Sequence, residues 1–167
     1  LFQSRPQILF REDSAAAEII AASMIQDGVE LLTGSKILEI RTAGNEKTII
    51  YEQDGEQQER IVDTVLVAVG RAPNVEGLNL EQVGVEYDHR IGVTVDDQLR
   101  PTNPKIFACG DICFPYKFTH TADFLARIVI GNALFKGRSK AGKLTIPCCT
   151  YTSPEIAPVG LYETEAE

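Results

Sequence analysis

Asp111 is the side chain of this chain whose neighbours best equip it to hold a ligand. It follows Gly110 at the end of the apolar run Ile106-Phe107-Ala108-Cys109. An ionised carboxylate only accepts hydrogen bonds, so it can fix a sugar-like hydroxyl. A glycine beside it lets a ligand come close to the backbone. Open α/β sheets bind ligands across the carboxyl ends of their strands, where a strand ending in Gly-Asp would lie. Alone, the pair is also an ordinary strand-end turn. A second segment shifts the balance. Val65-Leu66-Val67-Ala68-Val69 is another buried-type run, and it leads into Gly70-Arg71-Ala72-Pro73-Asn74, where Pro73 would fix φ.

The remaining reactive residues are less specific. Thr119, His120 and Ala122 fall at the start of a predicted helix, whose unpaired N–H groups and positive end stabilise negative charge. A lone histidine there reads as a cap or a solvated residue rather than a base. Cys109 and Cys113 are spaced like half of a metal site, but no second pair completes a tetrahedron. The adjacent Cys148 and Cys149 would suit a soft ion. Buried strand thiols are the preferred account of all four, and no metal site is assigned.

The elements that must position these residues follow from periodicity. Asp13 or Ser14 can cap a helix running to about Asp27, with Ala16, Ile19, Ile20 and Met24 on one face and Gly28 as the stop. A short strand is expected over Val29-Glu30-Leu31-Leu32. Three strands over 36–41, 47–52 and 57–62, with turns at Ala43-Gly44-Asn45 and Asp54-Gly55, make a meander. Buried strands are expected over 64–69 and 105–109, a loop over 77–88, and a short strand over 91–95. A second helix should run from about Ala122 to Phe135, capped by Thr121 and stopped at Gly137. The basic stretch from Lys136 to Lys143 reads as an exposed interdomain linker.

Composition narrows the function. The chain has 167 residues, 44% of them hydrophobic, enough to build a core. Its net charge of −8 argues against a nucleic-acid partner. The apolar run from Phe124 to Phe135 is interrupted by Arg127 and is too short to span a bilayer, so no membrane role and a cytoplasmic origin are expected.

The Gly70-Arg71-x-Pro73-Asn74 segment and the Gly110-Asp111 segment, in this order and spacing, resemble the pyridine nucleotide-disulfide oxidoreductases, the flavoenzymes that include glutathione reductase, dihydrolipoamide dehydrogenase and mercuric reductase. The resemblance continues through Phe118-Thr119-His120-Thr121-Ala122-Asp123. It extends to Thr150-Tyr151-Thr152-Ser153-Pro154-Glu155-Ile156-Ala157-Pro158-Val159-Gly160, which is similar to the opening strand of that family's dimerisation domain. Phe10-Arg11-Glu12-Asp13, 118–130 and 150–159 are most similar to the mercuric reductase subgroup. Cys148 stands where relatives often carry a larger apolar residue.

The resemblance implies an α/β fold made of partial doubly wound, Rossmann-like nucleotide-binding domains with a three-stranded β-meander. Residues 1–69 would be the C-terminal part of an NAD(P)-binding domain, 70–141 the second segment of an FAD-binding domain, and 142–167 the start of a dimerisation domain. It implies an enzyme that passes electrons from NAD(P)H through FAD to a redox dithiol and then to a small-molecule or metal-ion substrate, working as a homodimer. Gly110 and Asp111 would bind the flavin's ribityl chain. Thr119, His120 and Ala122 would meet the flavin ring through their backbone, and Gly70 and Arg71 would lie near both cofactors. Arg5 falls where the adenosine ribose is read. With no acidic residue before Glu12, it favours NADP over NAD, an incidental arginine being the other reading.

The family's catalytic groups have no match here. There is no Cys-x4-Cys pair, no Gly-x-Gly-x-x-Gly loop and no C-terminal His-Glu region, so no catalytic residue is assigned. The chain begins Leu1-Phe2-Gln3 and ends in what reads as an acidic helix start at 163–167. It is therefore expected to be an internal piece, inactive alone, binding FAD weakly or not at all and exposing apolar surface. Two other classes remain open: a stand-alone nucleotide- or partner-binding module, and a piece of a relative with a single redox cysteine that reduces peroxide or CoA-disulfide.

Overall fold

A strand and a helix are followed by four strands, then two short strands and a second helix, with single 3-10 turns among the later elements. A computed structural model describes residues 1–162, which form two compact units. The first contains Leu1–Ala68, Cys149–Ile156 and Tyr162; the second contains Val69–Cys148 and Ala157–Leu161. The acidic helix start expected at 163–167 lies outside the described residues.

The first unit opens with a βαβ arrangement. Strand β1 (Phe2–Gln3) pairs in parallel with β2 (Leu32–Thr33), and helix α1 (Ser14–Gln26) crosses between them. Asp13 caps α1 as its sequence position demands: Oδ1 accepts from the Ala15 and Ala16 amides at 2.9 and 3.3 Å. Such a cap stabilises a helix by about 1 kcal/mol. Gly28, at φ 85°, ends the turn after it. Ala17 and Ile20 face inward, whereas Ile19, expected on the same face, is exposed. The expected strand at 29–32 shifts to Leu32–Thr33 because pairing with Phe2–Gln3 fixes its position.

The meander is β3 (Lys36–Ala43), β4 (Glu46–Gln53) and β5 (Glu56–Val62), antiparallel in that order. Asp54 and Gly55 both take positive φ, the tight hairpin turn that Asp-Gly favours. The central strand supplies the core residues Ile49, Ile50 and Tyr51. The ring of Phe2 meets that of Tyr51 edge-on at 4.9 Å.

The second unit is mostly irregular backbone around two apolar clusters. Its strands are β6 (Tyr87–Asp88) and β7 (Gly92–Val93), and its helix is α2 (Thr119–Leu134). One cluster gathers Val75, Val85 and Val93; the other gathers Leu99, Leu125 and Ala141. Several expectations fail here. The run 64–69, which ends at the boundary between the units, forms no strand, and Leu66 and Val69 are about 90% exposed (89% and 92%), because no described segment pairs with it. Residues 105–109 also lack a ladder; 106–109 are half-buried and held by bonds such as Ala108 N–H to the Leu99 carbonyl at 3.1 Å. The strand expected over 91–95 shrinks to Gly92–Val93.

Helix α2 starts at Thr119, so Thr121 is not its cap but a fully buried residue inside it. Lys136, at φ 55°, takes the left-handed position that ends α2. Gly137 follows because its amide bonds the Gly131 carbonyl, where a Cβ would sit 2.9 Å from that oxygen. The basic stretch is not a loose linker. Ala141 is buried, the Ala141 N–H bonds the Asp97 carbonyl at 2.8 Å, and Lys140 pairs with the Asp97 carboxylate at 3.4 Å. The 150–160 segment forms isolated antiparallel bridges at Pro147–Val159 and Thr150–Ile156 rather than a strand.

Candidate functional site

The second unit assembles the Asp111 site from segments far apart in sequence. Gly70 has φ 125°, open only to glycine, and it turns the chain so that Arg71 projects while Pro73 and Val75 are buried. The Arg71 guanidinium donates to Asp111 Oδ2 at 2.7 Å. Asp111 sits in a single 3-10 turn, Gly110–Ile112, whose carbonyl at Gly110 accepts the Cys113 and Phe114 amides at 3.1 Å each. The Lys117 ammonium bonds the Asp111 backbone carbonyl at 2.7 Å, leaving the carboxylate to Arg71.

Gly110 is buried, at φ 79°, and a Cβ there would lie 3.3 Å from that of Ala122 in the first turn of α2. The positive φ, with this tight approach of turn and helix, favours glycine. Gly92 matters as much, and nothing in its sequence setting marks it beyond being a glycine at a short strand. It has φ 106°, and a Cβ there would overlap the Ile112 carbonyl oxygen and touch Pro73. Gly92 lets the 70–73 segment and the Asp111 turn lie together.

At the start of α2, Phe118 occupies the cap position without a side-chain bond. Amide donors of the first turn are thus left to solvent or a ligand. His120 Nε2 lies 2.8 Å from the Pro147 carbonyl, and its ring stacks on Phe118 at 5.3 Å. A carbonyl only accepts, so Nε2 donates in this contact, and the imidazole braces the start of α2 against Pro147. Thr121 Oγ1 is buried with no partner among the described residues. Gly70, Arg71, Gly110, Asp111, Thr119, His120 and Ala122 thus all belong to one unit.

Arg5 belongs to the other unit. It lines a cleft of about 470 Å³ with Gln7, Phe10, Arg11, Glu12 and Tyr162 among its neighbours. The guanidinium groups of Arg5 and Arg11 each stand 5.6 Å from the Phe10 ring centre. The carboxylates of Glu12 and Asp13 line the same cleft; that of Glu12 accepts the Thr150 and Tyr162 hydroxyls, each at 2.6 Å. Burial, then that carboxylate, pushes the Tyr162 hydroxyl up to about 12, so it stays a donor. Among the described residues neither arginine forms an ion pair. Arg11 was not singled out from sequence; its spacing from Arg5 was the available signal.

The cysteines are half-buried thiols outside regular strands. Cys109 packs on the Leu125 cluster and Cys113 on the Val75 cluster. Burial pushes Cys113 up to about 11, so it is a thiol at neutral pH. No group of three His, Cys, Asp or Glu among the described residues is arranged for a metal.

Residues 1–126 match the family model of the pyridine nucleotide-disulphide oxidoreductases. The chain belongs to that family. A mercuric reductase from Staphylococcus aureus is 34% identical over the whole chain, which spans 30% of that protein. A dihydrolipoyl dehydrogenase from Thermus scotoductus is 33% identical over 99% of the chain, 36% of that protein. Among solved structures, the HOCl-induced flavoprotein disulfide reductase RclA from Escherichia coli superposes with a TM-score of 0.86 at 26% identity, covering 99% of this chain and 38% of that one. The chain spans about a third of the length of these family members. The α/β class and the meander agree with this membership. No helix among the described residues is long and apolar enough to cross a membrane.

Proposed function

We propose that this chain is the cofactor-holding middle of an NADPH-dependent flavin oxidoreductase of mercuric reductase-like character. Gly110 and Asp111 would take the ribityl chain of FAD, the α2 start would face the flavin ring, and Gly70 and Arg71 would lie beside both cofactors. The juxtaposition of Arg71, Asp111 and the uncapped start of α2 within one unit carries this reading. The residues fit FAD: a carboxylate oxygen is open to a hydroxyl, Gly110 has no side chain to block approach, and uncapped amides suit negative charge.

The chemistry supplied by bound FAD is two-electron transfer from NAD(P)H towards a redox dithiol and substrate. The chain's own residues bind and orient. Asp111 accepts a hydroxyl, His120 braces the helix start against Pro147, and Gly92 keeps the Asp111 turn in place. The cleft at Arg5 supports NADP: two guanidinium groups, neither in an ion pair among the described residues, flank one aromatic ring, the setting in which arginine recognises phosphate. Residues 1–69, 70–141 and 142–167 are assigned to the NAD(P), FAD and dimerisation domains, in a cytoplasmic homodimer. Purifying the full-length protein and recording its flavin spectrum and its rates with NADPH and NADH tests the proposal. A colourless protein that oxidises neither nucleotide, and takes up no added FAD, would leave the stand-alone binding module as the reading.

A further inference from the structure

We propose that Arg71 is the positioning residue that neutralises and orients the Asp111 carboxylate, so that this carboxylate can accept a hydroxyl from an anionic dinucleotide. The inference rests on the reading of Asp111 as the ribityl acceptor. FAD carries two phosphate charges, and the chain's own net charge is −8. An uncompensated carboxylate at the site would repel the ligand it must bind. Among the described residues, Arg71 is the one cation on that carboxylate: its Nη2 stands 2.7 Å from Oδ2. The nearest alternative, Lys117, is committed to the backbone carbonyl of Asp111. Oδ1 is left to receive a donor, since a carboxylate offers about four acceptor positions.

The backbone segments that carry the two side chains are constrained. Gly70 at φ 125° and buried Pro73 bracket the arginine, and the Gly92–Ile112 approach fixes the turn bearing Asp111. Both side chains are partly exposed, 69% for Arg71 and 39% for Asp111. Their mutual charge effect is therefore screened by salt, whereas a hydrogen bond to ligand is much less so. Charge compensation thus leaves a signature that packing does not.

The test titrates the full-length apoprotein with FAD, following flavin fluorescence. R71M should weaken binding about tenfold at ~20 mM salt and less than about threefold at ~0.5 M, because the Debye length falls from roughly 20 Å to a few ångströms. R71K, which keeps the charge, should stay within about threefold of the parent at low salt. In a D111N background, R71M should change affinity by less than about twofold, since no carboxylate remains to compensate. An R71M loss that is equal at both salts, or that persists beside D111N, overturns the proposal, as does an R71M protein that binds like the parent. R71K with unchanged apoprotein melting guards against misfolding of R71M. D111N alone separates the two levels: if it leaves FAD binding intact, the ribityl reading itself fails; if it weakens binding while R71M does not, only the role of Arg71 fails.

Discussion

The two candidate nucleotide sites are built in opposite ways. The Arg5 cleft is largely local. Arg5, Phe10 and Arg11 lie within one short segment before α1, and two distant residues, Thr150 and Tyr162, join through Glu12. The Asp111 site is assembled: Arg71 and Asp111 are 40 residues apart, and Gly92, between them in sequence, sets how closely their segments approach. A local site survives small errors elsewhere in its unit, because its geometry is set by neighbouring residues. An assembled site inherits every error in the contacts that bring its parts together.

The sharpest way to break this contrast is Gly92→Ala. A side chain there meets the Ile112 carbonyl and a backbone conformation that L-residues avoid, so about 3 kcal/mol of stability should be lost. In the full-length protein, thermal unfolding should shift down and FAD affinity should fall, while NADPH affinity holds. Equal loss at both sites would show that the two units are not independent. Asp111→Asn is next: removing the charge at the acceptor should weaken FAD binding by about tenfold or more with little change in melting temperature.

At the local site, Arg5→Ala and Arg11→Ala should each raise the KM for NADPH by about tenfold and leave that for NADH unchanged, because only the extra phosphate needs the guanidinium groups. A parallel rise for both nucleotides would assign the arginines to something other than the 2′-phosphate. The smallest effect concerns α2. Thr121 buries a hydroxyl that has no partner among the described residues, so Thr121→Val should be neutral or raise stability by up to about 1 kcal/mol. A clear drop in melting temperature would mean that the hydroxyl finds a partner in the assembled protein.

What could be read in advance follows the same division. Helix α1 was legible because its cap, Asp13, and its stop, Gly28, act within one turn of the residues they serve. The β4–β5 hairpin was legible because Asp54-Gly55 favours one tight turn. The run 65–69 was not: its composition is that of a strand, yet a strand exists only with a neighbour, and no described segment pairs with it. The end of α2 and the docking of the basic stretch were hidden for a related reason. Lys136 takes a left-handed conformation that its type does not announce, and Lys140 finds its acid at Asp97, well away in sequence.

By itself, then, the sequence determined the residue types a flavin and a pyridine nucleotide would need, the local caps and turns, and membership of the family through two spaced motifs. The tertiary structure decided which of those residues meet. It placed the Arg71 guanidinium on the Asp111 carboxylate, turned His120 into a brace on Pro147, and made Gly92 a spacing element. The physical reason is range: propensities and caps act over one turn of chain, whereas ion pairs and close backbone approaches depend on packing that joins residues many positions apart.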